Sequence, residues 1–159
     1  MWIRDEIDKY TVTFKLEGEE GEISIMSFAS HAKLIPHILD DKWSMRLKVK
    51  TEGMVIQNGT NLELSDPGSL HAVEKALESE IKKRIEAVLQ QVQHEMKADI
   101  LNFGKEFHRK YPREWKENEH RWPDIYPKVN VEITVESNVK SQGSINRPGG
   151  LPEEAVKNK

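Results

Sequence analysis

Apolar and polar residues first alternate over Tyr10-Thr11-Val12-Thr13-Phe14-Lys15-Leu16, with Val12, Phe14 and Leu16 on one side. That period of two predicts a half-buried strand. Glu17-Gly18-Glu19-Glu20-Gly21 makes a turn with two glycines, and Glu22-Ile23-Ser24-Ile25-Met26-Ser27-Phe28 opens a second, less regular strand. Residues 32–39 are apolar but include Pro36, which cannot donate to a ladder, so a sheet edge or a bulge is expected there. Asp40-Asp41 makes the next turn. Trp43, Met45, Leu47 and Val49 then alternate with Lys42, Ser44, Arg46, Lys48 and Lys50, the clearest strand of the first half. Its basic face could be a binding stripe, but such charges more often keep an exposed face soluble and blunt edge pairing. Asn58-Gly59 predicts a tight turn between Met54-Val55-Ile56 and Leu62-Glu63-Leu64. Asn58-Gly59-Thr60 also fits a glycosylation acceptor pattern, the less simple of the two readings.

The period then changes. Ser65-Asp66-Pro67 supplies a capping side chain followed by Pro, a helix start. Apolar residues recur at Leu70, Val73, Leu77, Ile81, Ile85, Val88, Val92, Met96, Ile100 and Phe103, a mean spacing of about 3.67 that holds one stripe on one side of a helix. The predicted helix is about 50 Å long. It is expected to break near Asn102 and Gly104, because Gly commonly follows a helix C-terminus. The stripe lacks strict heptads, which favours packing on the chain's own sheet over a coiled coil. Helical character resumes over residues 105–110 and ends at Pro112, and a short helix over residues 113–121 sets Trp115 and Trp122 on one face. Residues 129–135 alternate as the last firm strand, residues 139–145 are expected to extend it past a kink, and residues 149–159 read as a disordered tail. The pattern therefore predicts an α+β fold. About four strands form an antiparallel sheet, one long helix packs across one face, and a short helical corner follows, all in a single domain over residues 1–148.

Composition narrows the partners. With 24 basic and 27 acidic residues spread along 159, the chain has no basic footprint for nucleic acid. It has no Cys, hence no disulfide, thiolate metal site or Cys nucleophile. No apolar run is long enough to span a bilayer, and Met1-Trp2-Ile3-Arg4-Asp5-Glu6 lacks the apolar centre of an export signal. Read alone, the chain is a soluble domain.

Catalytic templates mostly fail. There is no phosphate-cradling Gly loop and no Gly-x-Ser-x-Gly elbow, and His94-Glu95 lacks the second His of a zinc protease. His108, His120 and Glu114 could converge on a metal and support hydrolysis. No helical spacing fixes them to one another, so solvated or packing histidines are the stronger reading. Asp99 has no carboxylate or His partner fixed by spacing, and fits a structural acceptor for backbone N–H groups or a Trp N–H better than a general acid or base. Trp115 and Trp122 could form a pocket for a small molecule, although aromatics at helical spacing are more often core. No cofactor is expected.

The stretch Asp99-Ile100-Leu101-Asn102-Phe103-Gly104-x-x-Phe107-His108-Arg109-Lys110-Tyr111-Pro112-x-x-Trp115, followed by Trp122 and the strand from Val129, resembles the C-terminal domain of the Ger(x)C family. These are the C subunits of spore germinant receptors. The signature residues carried over are Asp99, Phe103, Gly104, Pro112, Trp115 and Trp122, with a structural role. Asn102 stands where that family more usually has Gly. The resemblance implies a non-catalytic part of a lipoprotein on the outer face of the spore inner membrane, partnered by two integral-membrane subunits in nutrient-triggered germination. Its lipidated Cys would lie outside this chain. Direct binding of a germinant molecule is the alternative it leaves open.

Overall fold

The structure is a computed structural model that describes residues 9–143. The proposed tail at residues 149–159 lies outside the described residues, as do residues 144 and 145 of the expected strand extension; within the described residues that strand ends at Lys140. Among the described residues, four strands form one sheet in the order β1-β2-β3-β4. They are β1 (Tyr10–Phe14), β2 (Ile23–Leu39), β3 (Lys42–Asn58) and β4 (Asn130–Lys140). A long helix, α1 (Pro67–Leu89), and three short ones, α2 (Phe103–Lys110), α3 (Pro112–Asn118) and α4 (Trp122–Ile125), lie between β3 and β4. The expected α+β arrangement of four strands with one long helix is what the chain forms.

The strands follow the predicted turns. β1 pairs antiparallel with the start of β2, Tyr10 opposite Ser27 and Phe14 opposite Ile23. Beyond Ser27, β2 has no described neighbour on that side, and Pro36 falls in this free stretch, where a missing N–H breaks no ladder bond. Asp40 and Asp41 both take positive φ, 49° and 60°, as a two-residue hairpin turn requires. β4 refines the expected meander. The ion pairs Arg46–Glu132 and Lys50–Glu136 both join residues 86 apart, and a constant difference means that β3 and β4 run in the same direction. Parallel neighbours need a crossover, and α1 with its short companions supplies it.

Two expectations give way. The tight hairpin at Asn58-Gly59 does not form, because β3 runs on to Asn58 and residues 62–64 are not a strand. The Asn58 side chain instead closes a local turn. Its Oδ1 accepts from the Thr60 amide at 3.0 Å and from the Thr60 hydroxyl at 2.7 Å, while its Nδ2 donates to the Leu62 carbonyl at 3.0 Å. That amide nitrogen is buried and engaged, which removes it as a glycosylation acceptor.

The second concerns the helix end. α1 stops at Leu89 and passes into a π-helical turn, Gln90–Glu95, not at residues 102–104. At about 1.5 Å per residue, α1 is about 35 Å long. Lys97 takes φ 51°, and the Ala98 amide donates back to the Val92 carbonyl at 3.0 Å, a helix-ending turn built on Lys where Gly is usual. Met96 and Ile100 consequently leave the buried stripe and are exposed.

The described residues divide into two compact units, one of residues 31–50 and 81–136, the other of residues 9–30, 51–80 and 137–143. The first buries Met45, Leu47 and Val49 of β3 with Ile81, Ile85 and Leu89 of α1. The second buries Val12, Phe14, Ile23, Ile25 and Val55 with Val73 and Leu77. In the second, Tyr10, Ser27, Ser30 and Thr51 join hydroxyls, with Thr51 Oγ1 at 2.9 Å from Ser27 and from Ser30.

Candidate functional site: a carboxylate-centred aromatic corner

The residues from 99 to 128 close the end of the first unit. Asn102, just before α2, takes the left-handed conformation (φ 60°, ψ 37°) and offers no side-chain cap. Asp99 does that work from three residues upstream. Its Oδ1 accepts from the Phe103 amide at 2.8 Å, and its Oδ2 accepts from the Gly104 amide at 2.7 Å and from the Trp122 indole Nε1 at 3.2 Å. A carboxylate at a helix N-terminus satisfies orphan N–H groups and complements the helix dipole. One side chain therefore holds the start of α2 and the start of α4 together.

Gly104 is held by space. A Cβ there would lie 2.7 Å from Trp115 Cη2, 3.1 Å from Trp122 Nε1 and 3.2 Å from Asp99 Oδ2. Around this point six aromatic rings pack. Trp43 meets Phe107 at 4.7 Å between centroids, Trp115 meets Trp122 at 5.2 Å, Trp122 meets Tyr126 at 5.6 Å, and Phe103 meets Tyr126 at 5.8 Å. Such tilted and edge-on pairs suit the ring quadrupoles.

Of the residues singled out from sequence, Asp99, Phe103, Gly104, Trp115 and Trp122 come together. Pro112 sits at the first turn of α3, where its fixed φ suits a helix start. Three contributors went unread. Trp43 arrives from β3, the first member of its alternating row. Tyr126 lies buried under the rings, and Gln93 ties it down by donating from Nε2 to the Tyr126 carbonyl at 3.1 Å and to the Val129 carbonyl at 3.0 Å. A Gln one place beyond an apolar stripe carries no signal that would have found it. The Tyr126 hydroxyl has no hydrogen-bond partner among the described residues, and burial together with the Asp99 charge pushes its pKa up to about 12.

The chemistry considered from sequence does not assemble. His108 stacks on Trp115, its ring tilted by 21°, and Glu106 pairs with Arg109. Among the described residues, no three His, Asp or Glu side chains come together as metal ligands, so the site imagined at His108, His120 and Glu114 is not formed. Trp115 and Trp122 close on each other and on Trp43 instead of framing a pocket. A surface cleft of this unit, about 810 Å³, is lined by Trp43, Ile125 and exposed charges such as Asp40, Lys42, Arg121 and Asp124. Among the described residues, no helix is long and apolar enough to cross a membrane.

An α+β domain closed by a carboxylate-anchored aromatic corner is the class of protein that the geometry defines. Its overall path is shared with the solved GerBC protein, at a TM-score of 0.75 and 21% identity over 87% of this chain and 42% of that one. Residues 1–143 match the family model described as "Spore germination B3/ GerAC like, C-terminal", and the chain belongs to that family. Curated relatives from Bacillus subtilis (strain 168) carry the same theme. Spore germination protein KC is 26% identical over 93% of this chain and 36% of its own length. Spore germination protein YndF is 31% identical over 70% of this chain and 29% of its own length. The chain thus spans about a third of the length of these relatives.

Proposed function

We propose that the chain is the C-terminal domain of a lipid-anchored germinant-receptor subunit on the outer face of the spore inner membrane. It acts without catalysis, through contacts with two integral-membrane subunits, in the germination that nutrients trigger. The single observation behind this reading is the family match across residues 1–143, on a chain that spans about a third of relatives named for spore germination. In this reading the corner of Asp99, Phe103, Gly104, Trp115 and Trp122 is scaffolding. It fixes the end of one unit so that an outer surface is presented in a constant shape.

Fractionation of spores tests the placement. The intact gene product should carry an export signal and a lipid-attachment Cys, and should purify with the inner membrane together with the two membrane subunits. Recovery of the intact protein in the soluble fraction, with no export signal, contradicts it.

A second reading, a domain that binds the germinant itself, draws on the cleft beside Trp43. Titrating amino acids and sugars while following Trp fluorescence separates the two. A saturable change that Trp43→Phe abolishes favours binding, and flat titrations leave the interaction reading.

A further inference from the structure

The outer edge of β4 is treated differently along its length. Near its end α1 closes it, Glu78 accepting from the Ser137 amide at 3.0 Å and Glu74 from the Val139 amide at 2.8 Å. Amides alternate sides along a strand, so those of Val131, Ile133 and Val135 point the same way, off the sheet, where β4 has no described neighbour.

The closing row stops there for a reason visible in the sequence. Four helical residues rise about 6 Å and two strand residues about 6.6 Å, so a helix row read every fourth residue keeps pace with alternate strand residues. Glu74 and Glu78 sit against Val139 and Ser137. The row then continues as Lys82 and Glu86, toward Val135 and Ile133. Lys82 is a donor and cannot accept from an amide. Glu86 makes no bond to β4 among the described contacts. A groove of about 480 Å³ opens here, walled by Lys82, Glu86 and Gln90 on one side and Val131 and Ile133 on the other. What remains is an open edge over residues 130–136, rich in β-branched residues and free of the Pro and Lys that commonly blunt edges.

We propose that this edge pairs with a second copy of the chain, the two β4 strands running antiparallel about a two-fold axis at Ile133. The charge pattern selects both the occupant and the register. With the axis at Ile133, Val131 faces Val135 of the second copy, Glu132 faces Thr134, and Asn130 faces Glu136. No acid meets an acid, and the whole open stretch is used. An axis at Glu132 sets that residue against its own copy, and an axis at Thr134 sets Glu132 against Glu136, twice. The pairing extends the sheet through backbone bonds, with apolar side chains continuing the row beside α1.

Sedimentation equilibrium on the 159-residue chain, from about 10 µM to about 1 mM, reads the association, and amide exchange by NMR locates it. The dimer should protect the Val131, Ile133 and Val135 amides in proportion to its population, while Ser137 and Val139 stay protected at every concentration. Thr134 is exposed and level with Lys48 of β3, so charge placed there leaves the core intact. Thr134→Glu should weaken the dimer about fivefold through two like-charge pairs, although Lys48 supports the new acid within one chain. Thr134→Lys should tighten it about fivefold. A chain that stays monomeric throughout overturns the proposal, as does a dimer that leaves these three amides unchanged or responds alike to both substitutions. Protection that appears only when an extended peptide of another protein is added assigns the edge to a partner strand and overturns it too.

Discussion

The corner around Asp99 and the hydroxyl cluster around Thr51 meet the same difficulty, polar atoms among apolar side chains, with different groups. At the corner one carboxylate accepts from two backbone amides and an indole N–H, so three donors on two segments depend on a single side chain. In the cluster, four hydroxyls share short contacts and each can donate or accept. A carboxylate with committed donors tolerates little change, whereas rotating hydroxyls can reassign their bonds. The two regions also differ in what crowds their glycines: a Cβ on Gly104 would meet two indoles and the acceptor carboxylate itself, whereas one on Gly53, beside Ser27, would meet Ile25 Cγ2 at 2.7 Å and the Met26 carbonyl at 3.2 Å.

The contrast predicts a ladder of effects. Gly104→Ala should be the most damaging, about 3 kcal/mol of lost stability, because a Cβ has two indoles and a carboxylate within 3.2 Å and all three are held by other contacts. Chemical denaturation measures it, and a loss near zero would mean that the rings can part.

Tyr126 gives the next effect, and it depends on pH. Below pH 10 its hydroxyl is protonated whether the chain is folded or not, and stability is unaffected. As pH rises through 10 the unfolded chain loses the proton, while the folded one keeps it until about 12. Folding is therefore favoured less and less across that window, by about 2 kcal/mol in all. Tyr126→Phe removes an unpaired buried hydroxyl, so it should leave stability at pH 7 unchanged or raised and flatten the loss between pH 10 and 12 relative to the unsubstituted chain.

In the other unit, Thr51→Val keeps the shape and removes the shared hydroxyl. The remaining three can still pair with one another, so a loss of about 1 kcal/mol is expected. A loss as large as that of Gly104→Ala would erase the distinction between the two regions. Asn102→Gly should move stability the other way, by about 0.5 kcal/mol in thermal melts, because Gly takes the left-handed conformation without the strain that Asn carries.

Much of the fold was legible because alternation at Val12-Phe14-Leu16 and at Trp43-Met45-Leu47-Val49 reports one buried sheet face, and the Pro67 start reports a cap. The helix end was not. Lys97 holds the left-handed position that Gly usually marks, so the apolar spacing ran on through Met96 and Ile100 after the helix had stopped. The turn after Asn58 failed for a related reason, because Asn-Gly serves an Asx turn as readily as a hairpin. At the corner, Asp99 was read as an acceptor for backbone and indole N–H groups, the bonds it makes. Trp43 is far from it in sequence, and Gln93 acts on the distant Tyr126 and Val129 carbonyls; both roles depend on tertiary packing that periodicity does not encode.

In the proposed reading the corner is scaffold and the working surface lies elsewhere. Spores carrying Asp99→Asn in the intact protein test this when nutrient-triggered germination is divided by the amount of folded protein present. Substitution weakens the three acceptor bonds, so abundance should fall and germination should fall with it, leaving the rate per molecule unchanged. Full abundance of folded protein with germination abolished would contradict the account and make the corner itself the working site.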